Sequence, residues 1–162
     1  MKQIIFTVIA LVAITFSAHS QRISKNAIGI RFGDSDGFGT EISYQRALSE
    51  SNRLEFDLGW RSNDVFDAYR LTGLYQWVWT LDGNFNWYVG AGGGVAQVNF
   101  DDNFNGFADD SETYLYGAGD IGIEYNFDIP LLISLDFRPE FGFGSYNDDL
   151  DLDIALGIRY QF

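Results

Sequence analysis

The residues best suited to chemistry in this chain lie in one acidic stretch, 101–112. Oxygen-bearing side chains recur there at alternate positions, followed by a glycine at the sixth place and a carboxylate at the twelfth. Calcium-binding loops of twelve residues place side-chain oxygens at positions one, three, five, nine and twelve, and a backbone carbonyl at position seven. The spacing therefore predicts a Ca²⁺ site with the ligands Asp101, Asn103, Asn105, the carbonyl of Phe107, Asp109 and Glu112.

This stretch departs from the usual calcium site in two ways. EF-hand loops lie between paired helices, whereas no amphipathic helix is predicted on either side of 101–112. Ala108 also stands where a larger apolar residue is usual. The alternative interpretation is a solvated acidic hairpin loop rich in turn-forming residues. The sequence of this stretch is compatible with both interpretations. In both, the loop is positioned by the secondary-structure elements before and after it.

The amino terminus has the three parts of a cleavable export signal. A short positive start precedes an apolar run over 4–16, and small residues follow at Ala18 and Ser20. The apolar run is too short for a membrane-spanning helix, which needs about 20 apolar residues. The sequence therefore predicts a signal peptide over 1–20 and a barrel domain over 21–162.

Cleavage at this site would remove His19, the one histidine of the sequence, and the chain has no cysteine. Catalysis by Ser-His-Asp or Cys-His groups and ordinary zinc sites are therefore excluded for the exported chain. Its charge also excludes a nucleic-acid binder, because 23 acidic residues outnumber 10 basic ones for a net charge of −13. We accordingly expect a protein that is not an enzyme.

Eight segments alternate between apolar and polar residues, which is the pattern of β-strands. In the last segment every even-numbered position is apolar, and the odd-numbered positions are charged, polar or small. Within 86–99 a run of glycines blurs both faces, so the inward or outward register of that segment stays open. The segments are 27–33, 38–46, 53–61, 68–79, 86–99, 113–126, 132–143 and 150–162.

The apolar face of these segments carries too many large rings to fit inside a small barrel. The opposite face mixes glycine and alanine with charges of both signs, which suits a narrow interior where Arg and carboxylates pair. The sequence therefore predicts an all-β, eight-stranded antiparallel up-and-down transmembrane β-barrel with its rings facing lipid. The charged residues expected inside are Arg31, Glu41, Arg53, Glu55, Asp57, Arg61, Arg70, Asp120, Glu124, Asp136, Arg138, Glu140, Asp151, Asp153 and Arg159.

The connections between these segments alternate in character. Those near 47–52, 81–84 and 127–131 are short, whereas those near 34–37, 62–67, 100–112 and 144–149 are acidic and hydrophilic. Aromatic residues cluster beside the short connections, which predicts an interfacial girdle on the periplasmic side. These residues are Tyr44, Trp77, Trp79, Trp87, Tyr125, Phe127, Tyr160 and Phe162.

Over 26–162 the chain resembles the small eight-stranded outer-membrane barrels of Gram-negative bacteria, of the outer-membrane protein A and X type. The most specific part is the last strand, where Gly157, Tyr160 and Phe162 are similar to the insertion signal read by the barrel assembly machinery. The resemblance implies export, insertion among the lipids of the cell outer membrane and contact with that machinery. It does not imply a particular activity.

Together these features predict a non-enzymatic outer-membrane barrel with a structural or surface-interaction, adhesion-like role, whose 101–112 loop is either a Ca²⁺ site or a solvated hairpin. The alternative is a small porin-like pore or a carrier of hydrophobic ligands. Such a protein needs an uncluttered interior, whereas the predicted interior is crowded with Arg and carboxylates. A lipid hydrolase or acyltransferase is disfavoured by the missing histidine, and a soluble lipocalin-like barrel by the aromatic girdle.

Overall fold

The structure is a computed structural model that describes residues 23–33, 39–62, 66–100, 111–143 and 150–162. Within these ranges the regular elements are eight β-strands. No helix long and apolar enough to cross a membrane occurs in this part of the chain. The strands are β1 (Asn26–Phe32), β2 (Thr40–Ala47), β3 (Asn52–Ser62), β4 (Phe66–Asp82), β5 (Phe85–Phe100), β6 (Ser111–Asn126), β7 (Leu131–Phe143) and β8 (Leu150–Gln161).

These strands form a closed barrel in which each strand pairs antiparallel with the next in sequence. The ring closes where β8 pairs with β1, from Ala27 opposite Gln161 to Phe32 opposite Leu156. Beyond the Ala27–Gln161 pair, the Asn26 amide donates to the Phe162 carbonyl at 3.0 Å, and the Phe162 amide donates to the Asn26 carbonyl at 2.9 Å. Closure pairs the two edge strands with each other, so their backbone N–H and C=O groups are hydrogen-bonded. A sheet needs this in lipid, where no water is present to bond those groups. The predicted fold class is confirmed.

Side chains alternate along each strand between an inner and an outer face. On β8, Ile154 is 64% exposed and Leu156 43% exposed, whereas Arg159 is fully buried in the lumen. Water-soluble proteins bury their apolar side chains and expose the charged ones. The opposite arrangement in this barrel is typical of transmembrane barrels, because lipid is the medium that covers an apolar outer surface. The predicted orientation, with rings outside and charges inside, is confirmed.

The register of β5, which the sequence left open, is resolved by the structure. Asn86, Tyr88 and Ala96 are buried on the inner face, whereas Trp87 and Val89 are only partly buried on the outer face. The even-numbered side chains Asn86, Tyr88 and Ala96 therefore define the inner face of β5. The glycines of this strand hid that pattern because they carry no side chain that distinguishes the two faces.

The two ends of the barrel differ in their connections. At one end, called the short-turn end, the turns after β2, β4 and β6 join the strands through residues 48–51, 83–84 and 127–130. Gly83 has a φ of 51°, a left-handed conformation that glycine adopts at low cost. The connections after β1, β3, β5 and β7 lie at the opposite end, called the long-connection end.

Aromatic side chains form bands near both ends. At the short-turn end the rings of Trp79 and Trp87 stack with centroids 4.7 Å apart. Tyr125 contacts Phe85 and Phe127 edge-on, each at 4.7 Å. The aromatic residues therefore cluster at the short-turn end as predicted, and their place at the periplasmic interface stays a prediction. A second band of exposed rings, which the sequence analysis did not predict, lies towards the long-connection end and contains Phe32, Trp60, Tyr69, Phe141 and Phe143.

Candidate functional site in the barrel interior

The lumen of the barrel is filled by charged side chains. Among the described residues, five buried arginines lie with eight buried carboxylates. Seven of the eight strands contribute to this set, and β5 contributes polar and aromatic side chains instead. The arginines are Arg31, Arg53, Arg70, Arg138 and Arg159, and the carboxylates are Glu41, Glu55, Asp57, Asp120, Glu124, Asp136, Glu140 and Asp153.

Arg138 and Arg159 form the central cluster of the lumen. Arg138 on β7 lies 2.7 Å from Asp57 and 3.0 Å from Glu55, both on β3. Arg159 on β8 lies 3.2 Å from Glu55 and donates to Ser43 at 2.9 Å and to Ser134 at 2.7 Å. Because these groups come from β2, β3, β7 and β8, the cluster joins walls that are not neighbours in the sheet.

A second cluster lies towards the long-connection end. Arg31 contacts three carboxylates, at 2.9 Å from Glu41, 2.5 Å from Asp136 and 2.7 Å from Asp153. Arg70 then links Glu41, at 3.5 Å, to Glu140. The two arginines therefore share Glu41, which extends the network from β1 to β4 and β7.

A third cluster lies towards the short-turn end around Arg53. This side chain pairs with Glu124 at 2.7 Å and donates to Gln76 at 2.6 Å. Gln76 in turn donates to Asp120 at 2.5 Å, and Asn86 donates to Glu124 at 3.1 Å. Amide side chains therefore extend the ionic network along β4, β5 and β6.

Two tyrosines pack against glycines across the β5–β6 pair. Tyr88 on β5 stands opposite Gly122 on β6, where an added Cβ would lie 2.5 Å from the tyrosine ring. Tyr116 on β6 stands opposite Gly94 on β5 in the same way. Arg53 lies over the Tyr88 ring at 4.8 Å and Arg70 over the Tyr116 ring at 5.1 Å, both within cation–π range. Each of the two strands therefore contributes one tyrosine ring that packs over a glycine of the other strand.

Among the described residues, charged and polar side chains fill much of the lumen. A cavity near the short-turn end, lined by Gln45, Arg53 and Glu124, has a volume of about 10 Å³. This is roughly the room that one water molecule needs. Since each arginine lies against carboxylates, this arrangement is suited to packing and cross-linking the barrel. It has the form expected of a narrow eight-stranded barrel.

The sequence identified most of this interior correctly. Of the predicted inward charges, all are buried except Arg61, which is exposed, and Asp151, which is half-buried. Both lie next to a strand terminus at the long-connection end, where the lumen opens towards solvent. Leu74 and Leu132 were assigned to neither face, and Tyr88 lies in the segment 86–99, whose register the sequence left open. Strict alternation from Arg70 and Gln76 would have placed Leu74 inside.

The predicted calcium ligands Asp101, Asn103, Asn105, Phe107 and Asp109 lie outside the described residues, as does the side chain of Glu112. In the part of the chain that the structure describes, no group of three or more His, Cys, Asp or Glu side chains is arranged to hold a metal ion. The Ca²⁺ site therefore stays a prediction.

The three residues of the predicted assembly signal do not share one face of the barrel wall. Tyr160 and Phe162 are outward, with their rings 6.3 Å apart, and both are more than half exposed. Gly157 is buried on the inner face, and a Cβ there would collide with Ser134 and with the guanidinium of Arg159. Packing around Arg159 is therefore a reason for glycine at 157 that is independent of any signal.

Three solved structures resemble this barrel at low sequence identity. The N-terminal β-barrel domain of Pseudomonas aeruginosa OprF matches with a TM-score of 0.66 and 16% identity, covering 88% of this chain and all of that domain. Neisserial surface protein A (NspA) matches with a TM-score of 0.61 and 14% identity, covering 85% of this chain and 94% of that one. Ail, the attachment invasion locus protein of Yersinia pestis, gives 0.57 and 17%, with coverage of 86% and 97%.

No protein-family model and no curated protein sequence matches the chain. The likeness to the three solved structures is therefore one of fold, because the identities are low while the coverage of both partners is nearly complete. Strand number, closure and the inverted distribution of charge and rings agree with it. The chain has the fold of the small eight-stranded outer-membrane β-barrels.

Proposed function

We propose that this protein is an integral barrel of the bacterial outer membrane, exported through cleavage of the signal peptide over 1–20. The observation that carries this proposal is the apolar outer face of the closed barrel, bounded at both ends by aromatic bands. In the proposed orientation across the membrane, the short-turn end faces the periplasm and the long-connection end faces the cell exterior. The match to OprF, NspA and Ail supports the same location.

Membrane insertion is tested by fractionation of expressing cells and by heat-modifiable migration of the detergent-folded protein. We expect the chain in the outer-membrane fraction, lacking residues 1–20 by mass, with a folded form that migrates faster before boiling. A form that folds in buffer without detergent and stays in the soluble fraction would contradict the proposal.

Within the membrane we propose a structural or surface-interaction, adhesion-like role without enzymatic activity. The described part of the lumen supports this role because its arginines and carboxylates pair with one another. One of the similar structures is named an attachment invasion protein and another a surface protein. Deletion strains compared for adherence to host or abiotic surfaces test the role, and wild-type adherence would count against it.

The pore or ligand-carrier alternative is weakened by the same packing. We expect no stable conductance steps in planar bilayers and no retention of hydrophobic ligands in the lumen. Reproducible single-channel steps from purified wild-type protein would instead favour the pore.

The outward-facing 101–112 loop is proposed to bind Ca²⁺ through the oxygens predicted from its sequence. Calorimetric titration of the folded barrel with Ca²⁺ is compared with the same titration of an Asp101→Ala, Glu112→Ala double variant. Saturable binding that the double variant loses supports the site. An Asp148→Ala, Asp149→Ala variant, which removes two carboxylates from another connection at the same end, is the charge-matched control. If the wild-type barrel does not bind Ca²⁺ at millimolar concentration, the Ca²⁺ site is contradicted and the loop is interpreted as a solvated hairpin.

A further inference from the structure

Arg46 lies on the outer surface of the barrel, unlike the five arginines of the lumen. It is exposed and shares the outer face of β2 with Ile42 and Tyr44, whereas Gln45 points inward. It is the penultimate residue of β2 and therefore lies at the short-turn end. Its side chain thus stands on the lipid-facing wall at the level of the aromatic band.

The guanidinium is held in place by the strand beside it. Asn26 on β1 pairs with Arg46 in the sheet register, and its Oδ1 accepts from Arg46 Nη1 at 2.7 Å. The Tyr44 hydroxyl donates to the same oxygen at 2.9 Å. Asn26 Nδ2 points the other way, towards the Phe162 carbonyl at 3.4 Å. Three strands that meet at the closing seam therefore fix this arginine.

The partner of the guanidinium is a neutral amide. Each lumenal arginine pairs with at least one carboxylate, whereas Arg46 forms no ion pair with the described residues. A guanidinium has five N–H donors, and the bond to Asn26 uses one of them. At the edge of a bilayer, the acceptors within reach of such donors are the phosphate oxygens of lipid headgroups. Planar forked donors match phosphate geometry well.

We propose that Arg46, positioned by Asn26 and Tyr44, binds the phosphodiester of a lipid headgroup in the leaflet at the short-turn end. This inference rests on the proposed membrane insertion. The exposed rings of Tyr160 on β8 and of Phe162 just after it lie on the far side of β1 from Arg46, at the same end of the barrel. As an exposed cation at the level of the aromatic band, Arg46 is suited to contact an anionic lipid.

The test uses the full barrel reconstituted into vesicles of phosphatidylcholine with phosphatidylglycerol, then released into mild detergent. Native mass spectrometry counts the phosphatidylglycerol that stays bound. The variants are Arg46→Gln, Arg46→Lys and the charge-matched control Lys25→Gln. Lys25 lines an open groove with Leu48 and Glu50 at the same end of the barrel. Heat-modifiable migration of each variant establishes insertion separately, so failed insertion is distinguished from failed lipid binding.

We expect Arg46→Gln to weaken phosphatidylglycerol retention by about tenfold, the effect of losing one charge-assisted hydrogen bond. Arg46→Lys retains part of the binding, and Lys25→Gln retains nearly all of it. A Tyr44→Phe variant, which keeps the ring but frees one acceptor position on Asn26, is expected to lose less than Arg46→Gln. Equal retention by wild type and Arg46→Gln overturns the proposal, as does an equal loss in Lys25→Gln. Competition by inorganic phosphate would assign a free-phosphate site and overturn the lipid assignment.

Discussion

Arg138 on β7 and Asp57 on β3 meet across the lumen, with Nη2 2.7 Å from Oδ2 and neither side chain exposed. In a ring of eight strands, β3 and β7 lie on opposite walls. The same nitrogen also reaches Glu55 at 3.0 Å. This pairing therefore spans the full width of the barrel, and it ties together walls that share no backbone hydrogen bonds.

Removing Arg138 leaves three buried carboxylates, Glu41, Glu55 and Asp57, without this partner. We expect Arg138→Ala to lower the free energy of unfolding by about 3–5 kcal/mol, the usual cost of an uncompensated buried charge. Urea unfolding of the vesicle-inserted barrel measures this change. Arg61→Ala, at an exposed arginine, should stay within about 0.5 kcal/mol of wild type. Equal effects of the two variants would contradict a lumenal network that stabilises the fold.

The Tyr88–Gly122 contact predicts a sharp difference between two Gly→Ala changes. At Gly122 the new Cβ would lie 2.5 Å from the Tyr88 ring and 2.8 Å from the Leu135 carbonyl, so the ring must move. We expect Gly122→Ala to cost about 1–3 kcal/mol, as overpacking does. At Gly73 on the outer face the nearest atoms belong to Phe56, at 3.5 Å, and Gly73→Ala should be nearly neutral. Unfolding curves of both variants test the expectation, which fails if Gly73→Ala is the more damaging change.

The lipid-facing assignment predicts that the cost of an arginine depends on depth. Leu156 lies midway along the outer face of β8, and Leu156→Arg should destabilise the inserted barrel by about 2–4 kcal/mol. Gln97 is exposed towards the long-connection end of β5, where Gln97→Arg should cost about 0–1 kcal/mol. The comparison is made by equilibrium folding into vesicles. Similar small costs at both positions would indicate an aqueous environment around the barrel.

The three residues of the predicted assembly signal should separate into two classes. Gly157→Ala displaces Arg159 from its contacts with Ser43 and Ser134, so we expect slower and weaker refolding even in pure detergent. Tyr160→Ala and Phe162→Ala remove exposed outer rings, so they should refold in detergent almost as wild type. In cells these two variants should accumulate outside the membrane, as measured by fractionation. Normal insertion of both in cells would remove the support for a terminal signal.

Strand number, strand limits within a few residues and the choice of faces follow from the sequence, because side chains alternate in a strand and charges are costly at the bilayer midplane. On β8 the even positions alone identify the outer wall. The alternation of apolar and polar residues gives no information where a residue has no side chain, as at Gly92. It also misleads where an apolar residue such as Leu74 points into the lumen. In those places the register comes from pairing with neighbouring strands.

The sequence by itself determined that most of the charged residues face inward, since this depends on local alternation and on the cost of charge in lipid. Only the tertiary structure decided which of them meet. Arg138 and Asp57 are 81 residues apart in the chain, and their contact depends on the closure and the stagger of all eight strands. Arg46 illustrates the same limit. Its outward position follows from alternation with Tyr44, but its placement by Asn26 depends on which residue of β1 stands opposite.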